Sequence, residues 1–597
     1  MGVAINSSAE ILPLCLSSSF VLCTKHRLFY GGSMIKVVIV GGVAGGASAA
    51  ARIRRLDENA QIVIFEKGNH VSFSNCALPF FLSKIVPKSE NLVLMNPERF
   101  KKQYNITAKT CHEVIRINVA RKTVRVKDLN SGNEFDESYD VLILSPGAFP
   151  IVPKSISGSN KPHVFTVRNV TDISRIDDYI NTHGVEDVAV VGGGFIGVEV
   201  AENLRLAGKN VSLIEKMNQV LAPFDYDMAQ ILHKEIHDKG INLILGDGIK
   251  EITDNTLVLE SGKTIKASAV ILSLGVAPET SLAKKAGIEL GSTGAILVDH
   301  NYKTGIEDIY AIGDAIEVNH FITKKKTRLT LAGPAQRQAR AAADSIYRIP
   351  HRNTGVIGSC SIHCFDYNAA CTGINERECK ANGLNYDYVY FIANDKVNLM
   401  PNANSMFFKL IFEKPSGKIL GAQAIGKGNT DKRIDVIASF IMLNGTLEDL
   451  KELELCYSPM FGTAKDIVNY AALIGLNILN GVYKQVPVTS IRELAEKNAC
   501  IIDVREEPEF AAGHIINAIN IPLSRLRERV DEIPKDKPVY LHCRSGQRSY
   551  NAVCALQGLG YKNVYNVMGS FLGLSFYEYY NDITENRKPI VTSYNFK

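Results

Sequence analysis

The chain has 597 residues, of which 46% are hydrophobic and 22% are charged, and its formal net charge at pH 7 is +5. This length predicts about four domains, and so small a net charge argues against a nucleic-acid partner. No run approaches the ~20 apolar residues of a membrane span, and the 12 cysteines show neither a C-x-x-C pair nor zinc-ligand spacing, so we expect a cytoplasmic protein with mostly free thiols.

Residues 1–33 do not resemble the start of a folded domain. Their mildly apolar stretch, ILPLCLSSSFVLC, contains Pro13, follows Glu10 and lacks a basic region before it, which makes it a poor signal peptide. A strand-like run, MIKVVIVGG, then begins abruptly at Met34. We interpret residues 1–33 as an extension, disordered or derived from a misassigned start, with a weak targeting segment as the alternative.

The first nucleotide-binding pattern is an apolar strand, a glycine turn and a helix of small residues, in the stretch IKVVIVGGVAGGASAAARIRRL. The turn nearly matches G-x-G-x-x-G, with Val43 in place of the second glycine. A second strand, AQIVIFE, ends at Glu66, which can accept a ribose hydroxyl, and the free N–H groups at the helix start can hold a pyrophosphate. The residues of this predicted dinucleotide site are Gly41, Gly42, Ala44, Gly45, Gly46 and Glu66.

The same pattern recurs in the stretch DVAVVGGGFIGVEVAENLRLAGKNVSLIEK. Here Gly192, Gly194 and Gly197 match the glycine motif fully, and Glu215 ends the next strand. An acid at that position favours NADH over NADPH, because it would repel a 2′-phosphate. The alternative for either unit is a tight strand–helix turn without a ligand, and two complete units in one chain argue against it.

A third stretch, TGIEDIYAIGDAIEV, is an apolar strand that ends in Gly313 and Asp314. An acid at the carboxyl end of such a strand faces the crevice where open α/β sheets bind ligands. Asp314 can therefore accept hydrogen bonds from a ribityl chain. The alternative is a turn aspartate that caps the next segment.

Four segments, GGVAGGASAAARIRRL, SPGAFP, GGGFIGVE and YAIGDA, resemble in their order the flavin- and nicotinamide-dependent pyridine nucleotide-disulfide oxidoreductases, over about residues 34–480. The resemblance implies FAD at the first site and NADH or NADPH at the second. Phe195 would sit over the flavin where nicotinamide must stack, with core packing as the alternative. The implied division is an extension (1–33), an FAD-binding domain in two parts (34–150 and 273–355), an NAD(P)-binding domain (151–272), a dimerisation domain (356–480) and a last domain (487–590).

The stretch SFSNCALPF holds one cysteine, Cys76, and the next cysteine, Cys111, is 35 residues further on. Since one thiol cannot form a disulfide alone, it must become a sulfenate, or a mixed disulfide or persulfide with a small-molecule sulfur, before it can take electrons from a reduced flavin. A helix start at this point would lower the pKa of the thiol. The alternative is a buried structural cysteine.

Within the family, SFSNCALPF resembles the coenzyme A disulfide reductases, in which basic residues of the first helix and the serine and asparagine of this stretch contact coenzyme A. Here these would be Arg52, Arg55, Ser72 and Asn75. The two arginines are three residues apart and share one helix face. A solvated helix face is the alternative for them.

The stretch SIHCFDYNAACTGINE would open the dimerisation domain. It lies in a loose cluster of four cysteines, which we interpret as small buried hydrophobic residues, and a metal site is the alternative. The four are Cys360, Cys364, Cys371 and Cys379.

Further on, CYSPMFGTAKDIVNYA resembles the family segment that the partner subunit brings to the active site. Tyr457 would reach the other chain's cysteine and protonate or orient the departing coenzyme A thiolate, and Lys465 would aid substrate binding. An interface tyrosine is the alternative. Leu399 and Met400 precede Pro401 where the family often has a second tyrosine, which casts doubt on symmetric coenzyme A disulfide as the best substrate.

The last hundred residues contain ACIIDVREEPEFAAGHIINAINIPLSRL and PVYLHCRSGQRSYNAVCAL, and they resemble a single-domain rhodanese, a sulfurtransferase. Cys543 ends a strand, and the loop after it can converge backbone N–H groups on one sulfur. Arg544 and Arg548 add positive charge, which would lower the pKa of the thiol and stabilise a persulfide. We expect Asp503 and Arg505 to be structural pairing residues, and an inactive rhodanese fold is the alternative.

Together these patterns predict an α/β protein with two Rossmann-like FAD and NAD(P) domains, an α+β dimerisation domain and a C-terminal α/β rhodanese domain. We expect a homodimer that reduces a small-molecule disulfide, persulfide or polysulfide, with coenzyme A as substrate or bound thiol. Two alternatives stay open: an NADH oxidase or peroxidase that works through a Cys76 sulfenate, and a non-enzymatic redox-sensing scaffold.

Overall fold

The apolar runs around the first glycine turn form a five-stranded parallel sheet in the computed structural model, which describes residues 34–596. The interpretation of residues 1–33 therefore lies outside the described residues. Helices on its faces leave the middle strands almost fully buried, as is usual for parallel sheets. The strand order of this first sheet is Ile309–Ala311, Val141–Leu144, Lys36–Val40, Gln61–Phe65 and Thr107–Lys109.

Two helices that lie far apart in the chain, Ala44–Leu56 and Ala332–Ile346, pack against each other beside the first sheet. Further elements of this part of the chain are a three-stranded antiparallel sheet and two short helices. They are His112–Asn118, Thr123–Asp128 and Glu134–Ser138 for the sheet, and Pro97–Tyr104 and Ser281–Lys285 for the helices.

A second parallel sheet is inserted into the first part of the fold. The chain leaves and returns through two short antiparallel strands, Ala148–Pro150 and Val276–Pro278. The strand order of the second sheet is Asn242–Leu245, Asn210–Glu215, Asp187–Val191, Ala269–Leu272 and Val164–Thr166. Its helices are Val170–Thr182, Phe195–Leu206 and Tyr226–Asp238, and a small antiparallel sheet follows with strands Ile249–Ile252, Thr256–Leu259 and Thr264–Lys266.

The third sheet is antiparallel, and its central strands are buried on both faces. In strand Ser405–Glu413, Phe408 and Leu410 pack under the helices, while Phe407 faces the neighbouring parts of the chain. The strand order is Cys360–Cys364, Tyr367–Gly373, Ile419–Gly426, Ser405–Glu413 and Tyr386–Asn394. The helices are Glu376–Ala381, Thr430–Met442, Leu447–Lys451 and Ile467–Leu479.

The fourth sheet is parallel and contains the C-terminal strands. Its order is Lys484–Val486, Val564–Val567, Val539–His542, Cys500–Asp503 and Ile519–Asn520. Its helices are Ile491–Glu496, Glu507–Ala511, Gln547–Gly558 and Ser570–Thr584.

The C-terminal helix Ser570–Thr584 attaches the fourth sheet to the rest of the chain. The Tyr580 hydroxyl donates to the Leu243 carbonyl at 2.9 Å, which ties this helix to the second sheet. The Gln485 amide donates to the Tyr388 carbonyl at 2.9 Å, which ties the fourth sheet to the third. The predicted fold class is thus confirmed. No helix among residues 34–596 is long and apolar enough to cross a membrane.

One buried cation holds the third sheet to the second. Lys409 is 0% exposed, and its Nζ lies 3.1 Å from Asp225, 2.9 Å from Asp227 and 2.6 Å from Glu376. Burial opposes the charge of this lysine, but the three carboxylates raise its pKa well above the ordinary value. Burial in turn raises the pKa of Asp227. Asp225 and Asp227 lie at the start of helix Tyr226–Asp238, and Glu376 begins helix Glu376–Ala381, so a single ammonium group joins these two segments to its own strand.

We predict that Lys409→Met destabilises the protein, because it leaves two buried carboxylates and one partly buried carboxylate without their cation. Breaking a buried pair in this way typically costs about 3–5 kcal/mol, so the midpoint of thermal unfolding of the FAD-loaded protein should fall by several degrees. Lys432→Met, which removes an exposed lysine, is the matched control and should leave the midpoint unchanged. Equal midpoints for the two variants would contradict this account of the network.

Candidate active site

A cavity of about 310 Å³ lies at the carboxyl ends of the strands of the first sheet, where open α/β sheets bind their ligands. It collects residues that the sequence places far apart, from the glycine turn to the strand before Asp314. Its lining includes Ala44, Gly45, Glu66, Asn75, Ser145, Gly147, Arg168, Gly313 and Asp314. The structure therefore brings half of the predicted first dinucleotide site, Ala44, Gly45 and Glu66, into one cleft, and it adds Arg168, which the sequence did not single out.

The backbone of the first turn requires glycine at its first and last positions. Gly41 has φ +92°, and a Cβ atom there would lie 2.0 Å from the Ser145 carbonyl oxygen. A Cβ on Gly46 would lie 1.9 Å from the Gly41 carbonyl oxygen. Val43, by contrast, has a negative φ of −99°, so its backbone is not in the left-handed region that favours glycine. The imperfect match to the glycine motif is therefore compatible with the turn.

The second turn repeats this construction. A Cβ on Gly192 would lie 2.3 Å from the Ser273 carbonyl oxygen, and one on Gly197 would lie 1.8 Å from the Gly192 carbonyl oxygen. Apart from its chain neighbours, no atom of residues 34–596 lies within 4 Å of a Cβ built on Gly194, so packing within this part of the chain does not require glycine there. An open approach at Gly194 suits close contact with a ligand. Phe195 begins the helix and is half-buried against the core.

The acid after each second strand holds its own glycine turn. Glu66 accepts hydrogen bonds from the Gly42 and Gly68 N–H groups, both at 2.8 Å. Glu215 accepts from Gly193 at 2.6 Å and from Met217 at 2.8 Å. A carboxylate has about four acceptor positions, so both groups keep capacity for ribose hydroxyls.

Asp314 lies in the cleft on a short turn after strand Ile309–Ala311. Burial raises the pKa of its carboxyl group, and the charge of Arg168 opposes that shift. The turn is fixed by Gly313, whose N–H donates to the Gln338 side chain at 2.7 Å. Asp314 is thus a half-buried acceptor at the predicted position, next to a turn that the Gly313–Gln338 hydrogen bond fixes.

Cys76 lies on a three-residue 3₁₀ turn, Asn75–Ala77, and its side chain is exposed. It forms no disulfide, and every other cysteine among residues 34–596 is also free. The expectation of a lowered thiol pKa is wrong for this structure: partial burial raises the pKa, and the charges of Glu199 and Asp314 raise it further. The physical reason is that so short a turn has little dipole, while the neighbouring charges are negative.

Glu199 is a site residue that the sequence analysis missed. Burial, together with the charge of Glu202, raises its pKa to about 7. It lies on helix Phe195–Leu206, one turn before Asn203, which accepts a hydrogen bond from Ser83 at 2.6 Å. This helix face is therefore turned toward the segment that follows Cys76. In the sequence, Glu199 is visible only as the final acid of GGGFIGVE. Which way its side chain points depends on tertiary packing, so the sequence alone does not identify it as a site residue.

The two arginines expected to bind coenzyme A have different surroundings. Arg55 is exposed. Arg52 forms an ion pair with Asp344 at 2.5 Å, which neutralises its charge and joins two helices. Arg54, between them, is buried and donates to backbone carbonyls, among them that of Ala60 at 2.7 Å. Only Arg55 keeps the exposed, solvated position from which a helix arginine can bind an anion.

Ser72 and Asn75 flank the approach to Cys76. Ser72 has φ +48°, which is uncommon for serine, and its N–H donates to the Gly42 carbonyl at 2.9 Å. The Asn75 Oδ1 atom is buried without a hydrogen-bond partner in the described chain, and Asn75 lines the first cavity. Ser72 thus fixes the backbone next to the glycine turn, while Asn75 offers an unpaired polar atom to a ligand.

Tyr457 and Lys465 lie at the two ends of an exposed segment that follows helix Leu447–Lys451. Lys465 is placed over the ring of Tyr470, 5.1 Å from its centre. Phe461, between them, is 76% exposed, which is unusual for phenylalanine. None of the contacts within the described chain joins Tyr457 to Cys76.

Cys543 lies at the carboxyl end of strand Val539–His542 and is 1% exposed. The Gly546 N–H donates to its Sγ at 3.1 Å, and the Ser549 hydroxyl donates at 3.6 Å. The Ser570 hydroxyl lies 4.0 Å away on its other side. This loop is an anion-binding arrangement for one sulfur. The sequence predicted its backbone part and missed both serines.

The charged residues around this loop are paired. Arg548 holds Glu509 with two hydrogen bonds of 2.6 and 2.7 Å, and it also lies within hydrogen-bonding reach of Cys543. The expectation that Asp503 and Arg505 pair with each other is confirmed: they are buried and joined at 2.6 Å.

A second and larger cavity, of about 720 Å³, joins the Cys543 loop to the third sheet. Arg544, Ser545, Gly546 and Gln547 line one side of it, and the other side includes Lys396, Thr463 and Lys465. The described residues that line it include three cations and no acidic residue. The cavity therefore suits an anion that extends between the two parts of the chain.

Models of three protein families match this chain. Residues 35–339 match the pyridine nucleotide-disulphide oxidoreductases, residues 360–466 the dimerisation domain of the same family, and residues 488–575 the rhodanese-like domain. The coenzyme A disulfide reductase of Staphylococcus epidermidis is 35% identical over 437 residues, which are 73% of this chain and 98% of that protein.

Two solved structures extend the likeness through the C-terminal part. Reduced Bacillus anthracis CoADR-RHD has a TM-score of 0.88 and 42% identity, and the match covers 91% of this chain and 98% of that one. The NAD-dependent persulfide reductase from A. fulgidus has a TM-score of 0.86 and 34% identity, covering 90% of this chain and 99% of that one. The family resemblance inferred from the sequence is confirmed.

We predict that Glu199→Gln raises the reactivity of Cys76 above pH 7 only. Below pH 7 the Glu199 side chain is mostly protonated and therefore uncharged, as glutamine is. Above pH 7 the wild-type carboxylate raises the pKa of the Cys76 thiol, whereas the uncharged glutamine of the variant does not. Alkylation of Cys76 by iodoacetamide, followed by peptide mass spectrometry, should be unchanged at pH 6 and roughly threefold faster at pH 8. Glu289→Gln, at an exposed glutamate, is the control; equal rates at pH 8 would exclude this coupling.

Proposed function

Since this chain belongs to the pyridine nucleotide-disulphide oxidoreductase family, as an NAD(P)H-dependent enzyme of the coenzyme A disulfide reductase type with a rhodanese domain, we propose that it reduces coenzyme A persulfide, coenzyme A disulfide or polysulfide at Cys76. The observation that carries the proposal is the state of Cys76, a free and exposed thiol whose pKa responds to Asp314 of the cofactor cleft. Because no cysteine among residues 34–596 forms a disulfide with it, we propose that the substrate supplies the second sulfur.

The residues of the first cleft fit FAD. The glycine turn leaves no room for side chains at Gly41 and Gly46, Glu66 keeps acceptor capacity for a ribose, and Asn75 offers an unpaired buried oxygen. The second turn, with Gly192, Gly194, Gly197, Phe195 and Glu215, is assigned to NADH or NADPH, and Glu215 favours NADH. When bound, FAD supplies an electron pair that originates from the nicotinamide.

At Cys76 the proposed chemistry has two steps. The Cys76 thiolate attacks the inner sulfur of coenzyme A persulfide, which forms a mixed disulfide and releases hydrosulfide. Two electrons and one proton then cleave the mixed disulfide, so that Cys76 becomes a thiolate again and coenzyme A leaves as a thiol. Protonated Glu199 lessens the negative charge next to the thiolate, since its pKa is about 7.

The rhodanese domain supplies sulfur to this reaction in our proposal. A persulfide on Cys543, stabilised by the Gly546 N–H and the Ser549 hydroxyl, transfers its outer sulfur to a thiolate of coenzyme A; Cys543 leaves as a thiolate and coenzyme A persulfide forms. The three cations of the larger cavity, Lys396, Lys465 and Arg544, suit the phosphates and sulfur anions of such a substrate.

We propose a homodimer in which Tyr457 of each chain serves Cys76 of the other. The match to the family's dimerisation domain supports this assembly, and so do the exposed apolar side chains near Tyr457, with Leu399 at 87% exposure and Phe461 at 76%. Leu399 and Met400 supply no second proton donor. Persulfide therefore fits better than symmetric disulfide, since its first leaving group, hydrosulfide, needs protonation less than an alkyl thiolate does.

We predict that Cys76→Ser lowers NADH-dependent reduction of coenzyme A persulfide by a factor on the order of 100 or more, since serine cannot form the mixed disulfide. Cys111→Ser is the matched control, because the Cys111 thiol bonds only to Asn69 among the contacts described, and it should retain full activity. Cys543→Ser should keep the reduction of added coenzyme A persulfide and lose sulfur transfer from thiosulfate.

The same assay separates the alternatives. Oxygen and peroxide consumption are recorded beside persulfide reduction for the wild type. Faster turnover with oxygen or peroxide would favour an oxidase or peroxidase, and negligible turnover on every substrate would favour a redox-sensing scaffold. Full activity of Cys76→Ser on coenzyme A persulfide would refute the proposed function.

A further inference from the structure

Two cysteines outside both active sites face each other across neighbouring strands of the third sheet. Cys360 and Cys371 are directly opposite in the antiparallel pairing of Cys360–Cys364 with Tyr367–Gly373. Their Sγ atoms are 3.3 Å apart. They belong to the loose cysteine cluster noted in the sequence, but Cys364 and Cys379 are buried elsewhere and make no such contact among those described.

We propose that Cys360 and Cys371 form a reversible cross-strand disulfide and thereby make a second redox site, which takes its oxidising equivalents from small-molecule disulfides. Directly opposed residues of antiparallel strands have Cα atoms about 4.5–5.5 Å apart, within the range that a disulfide bridges. A bond length of about 2.05 Å requires the sulfurs to approach by roughly 1.3 Å. Side-chain rotation achieves this, and the strands keep their register.

The two thiols differ in access, which assigns their order of reaction. Strand Cys360–Cys364 is at the edge of the sheet, and Cys360 is partly exposed. Cys371 is 4% exposed, and its pKa is raised well above the ordinary value by its contact with Cys360 and by burial. Cys360 therefore meets the oxidant first, and Cys371 resolves the intermediate.

The reaction balances as two thiol–disulfide exchanges. The Cys360 thiolate attacks one sulfur of the small disulfide, which forms a mixed disulfide and releases one small thiolate. Cys371 then gives its proton to the small thiolate released in the first step and attacks the Cys360 sulfur, which forms the protein disulfide and releases the second thiolate. The protein loses two electrons and the small disulfide gains them, so no other reactant is needed.

The position of this pair links it to the catalytic part of the chain. The hairpin that carries both cysteines also holds Phe365, whose N–H donates to Glu202 at 2.9 Å. Glu202 lies on the helix that bears Glu199 and raises the pKa of Glu199. A covalent bond across the hairpin would therefore constrain the segment that holds Glu202, and with it the helix that bears Glu199.

The test uses the FAD-loaded wild type incubated with cystamine without oxygen, then unfolded, labelled with a maleimide and digested with trypsin. Residues 353–377 form one tryptic peptide that contains Cys360, Cys364 and Cys371. We expect the label on this peptide to fall from three groups to one, on Cys364, with a mass lower by two hydrogens, and dithiothreitol to restore all three. Three labels after cystamine, or a lasting cysteamine adduct on Cys360, would overturn the proposal.

Two variants keep the result interpretable. Cys371→Ser removes the resolving thiol, so Cys360 should be trapped as a cysteamine mixed disulfide. Cys364→Ser removes a buried cysteine of the same strand, and its peptide should still lose two hydrogens and carry no label. A disulfide that forms in the wild type and fails in Cys364→Ser would show that Cys364 is the true partner, which contradicts the assignment.

Discussion

The sulfur of Cys76 lies near two carboxyl groups, those of Glu199 and Asp314, and within residues 34–596 no other sulfur is bonded to it. This constraint decides the chemistry. The negative surroundings oppose a resting thiolate, so the site gains reactivity when Glu199 holds a proton. A single sulfur accepts an electron pair only as part of a covalent bond to another atom, and in our proposal the substrate provides that atom. The cleft and the helix of Glu199 both lie next to this one position, and the homodimer that we propose would add Tyr457 to it.

Much of the scaffold could be predicted from the sequence because its determinants are local. Gly41 and Gly192 occupy backbone conformations with positive φ. Gly46 and Gly197 allow each helix to pack close to the turn before it. The residues that define each nucleotide-binding unit therefore lie close together in the sequence. Cys543 was likewise found from the strand before it and the loop after it. The pairing of Asp503 with Arg505 needed only a spacing of two residues.

Other features depended on contacts between distant segments. The pairing of Arg52 with Asp344 joins two helices almost 300 positions apart. It neutralises an arginine that, from the sequence, was expected to be available for coenzyme A. The predicted direction of the Cys76 pKa shift was wrong because two acids that raise this pKa come from distant segments. Glu199 comes from the inserted second sheet, and Asp314 comes from the turn after a later strand. Lys409, hidden in a strand of apolar residues, gave no sign of its three carboxylate partners. The sequence also contained no indication that Lys465 and the Cys543 loop line the same cavity.

The larger cavity connects the rhodanese domain to the dimerisation domain, and it offers a physical reason for the fusion of the rhodanese domain to the reductase. The C-terminal helix anchors the rhodanese domain to the second and third sheets, so the Cys543 loop faces Lys396 and Lys465 and not only solvent. The described residues that line this cavity include three cations and no acidic residue, so in our proposal an anionic sulfur carrier is held there, between the Cys543 loop and the segment of Lys465.

Peptide mass spectrometry of Cys76 tests the central claim most directly. The FAD-loaded protein is incubated with coenzyme A disulfide without a nicotinamide, quenched in acid and digested without reductant. Our account predicts one coenzyme A attached to the peptide that contains Cys76. A bare Cys76, or a disulfide between Cys76 and another cysteine of the protein, would contradict it.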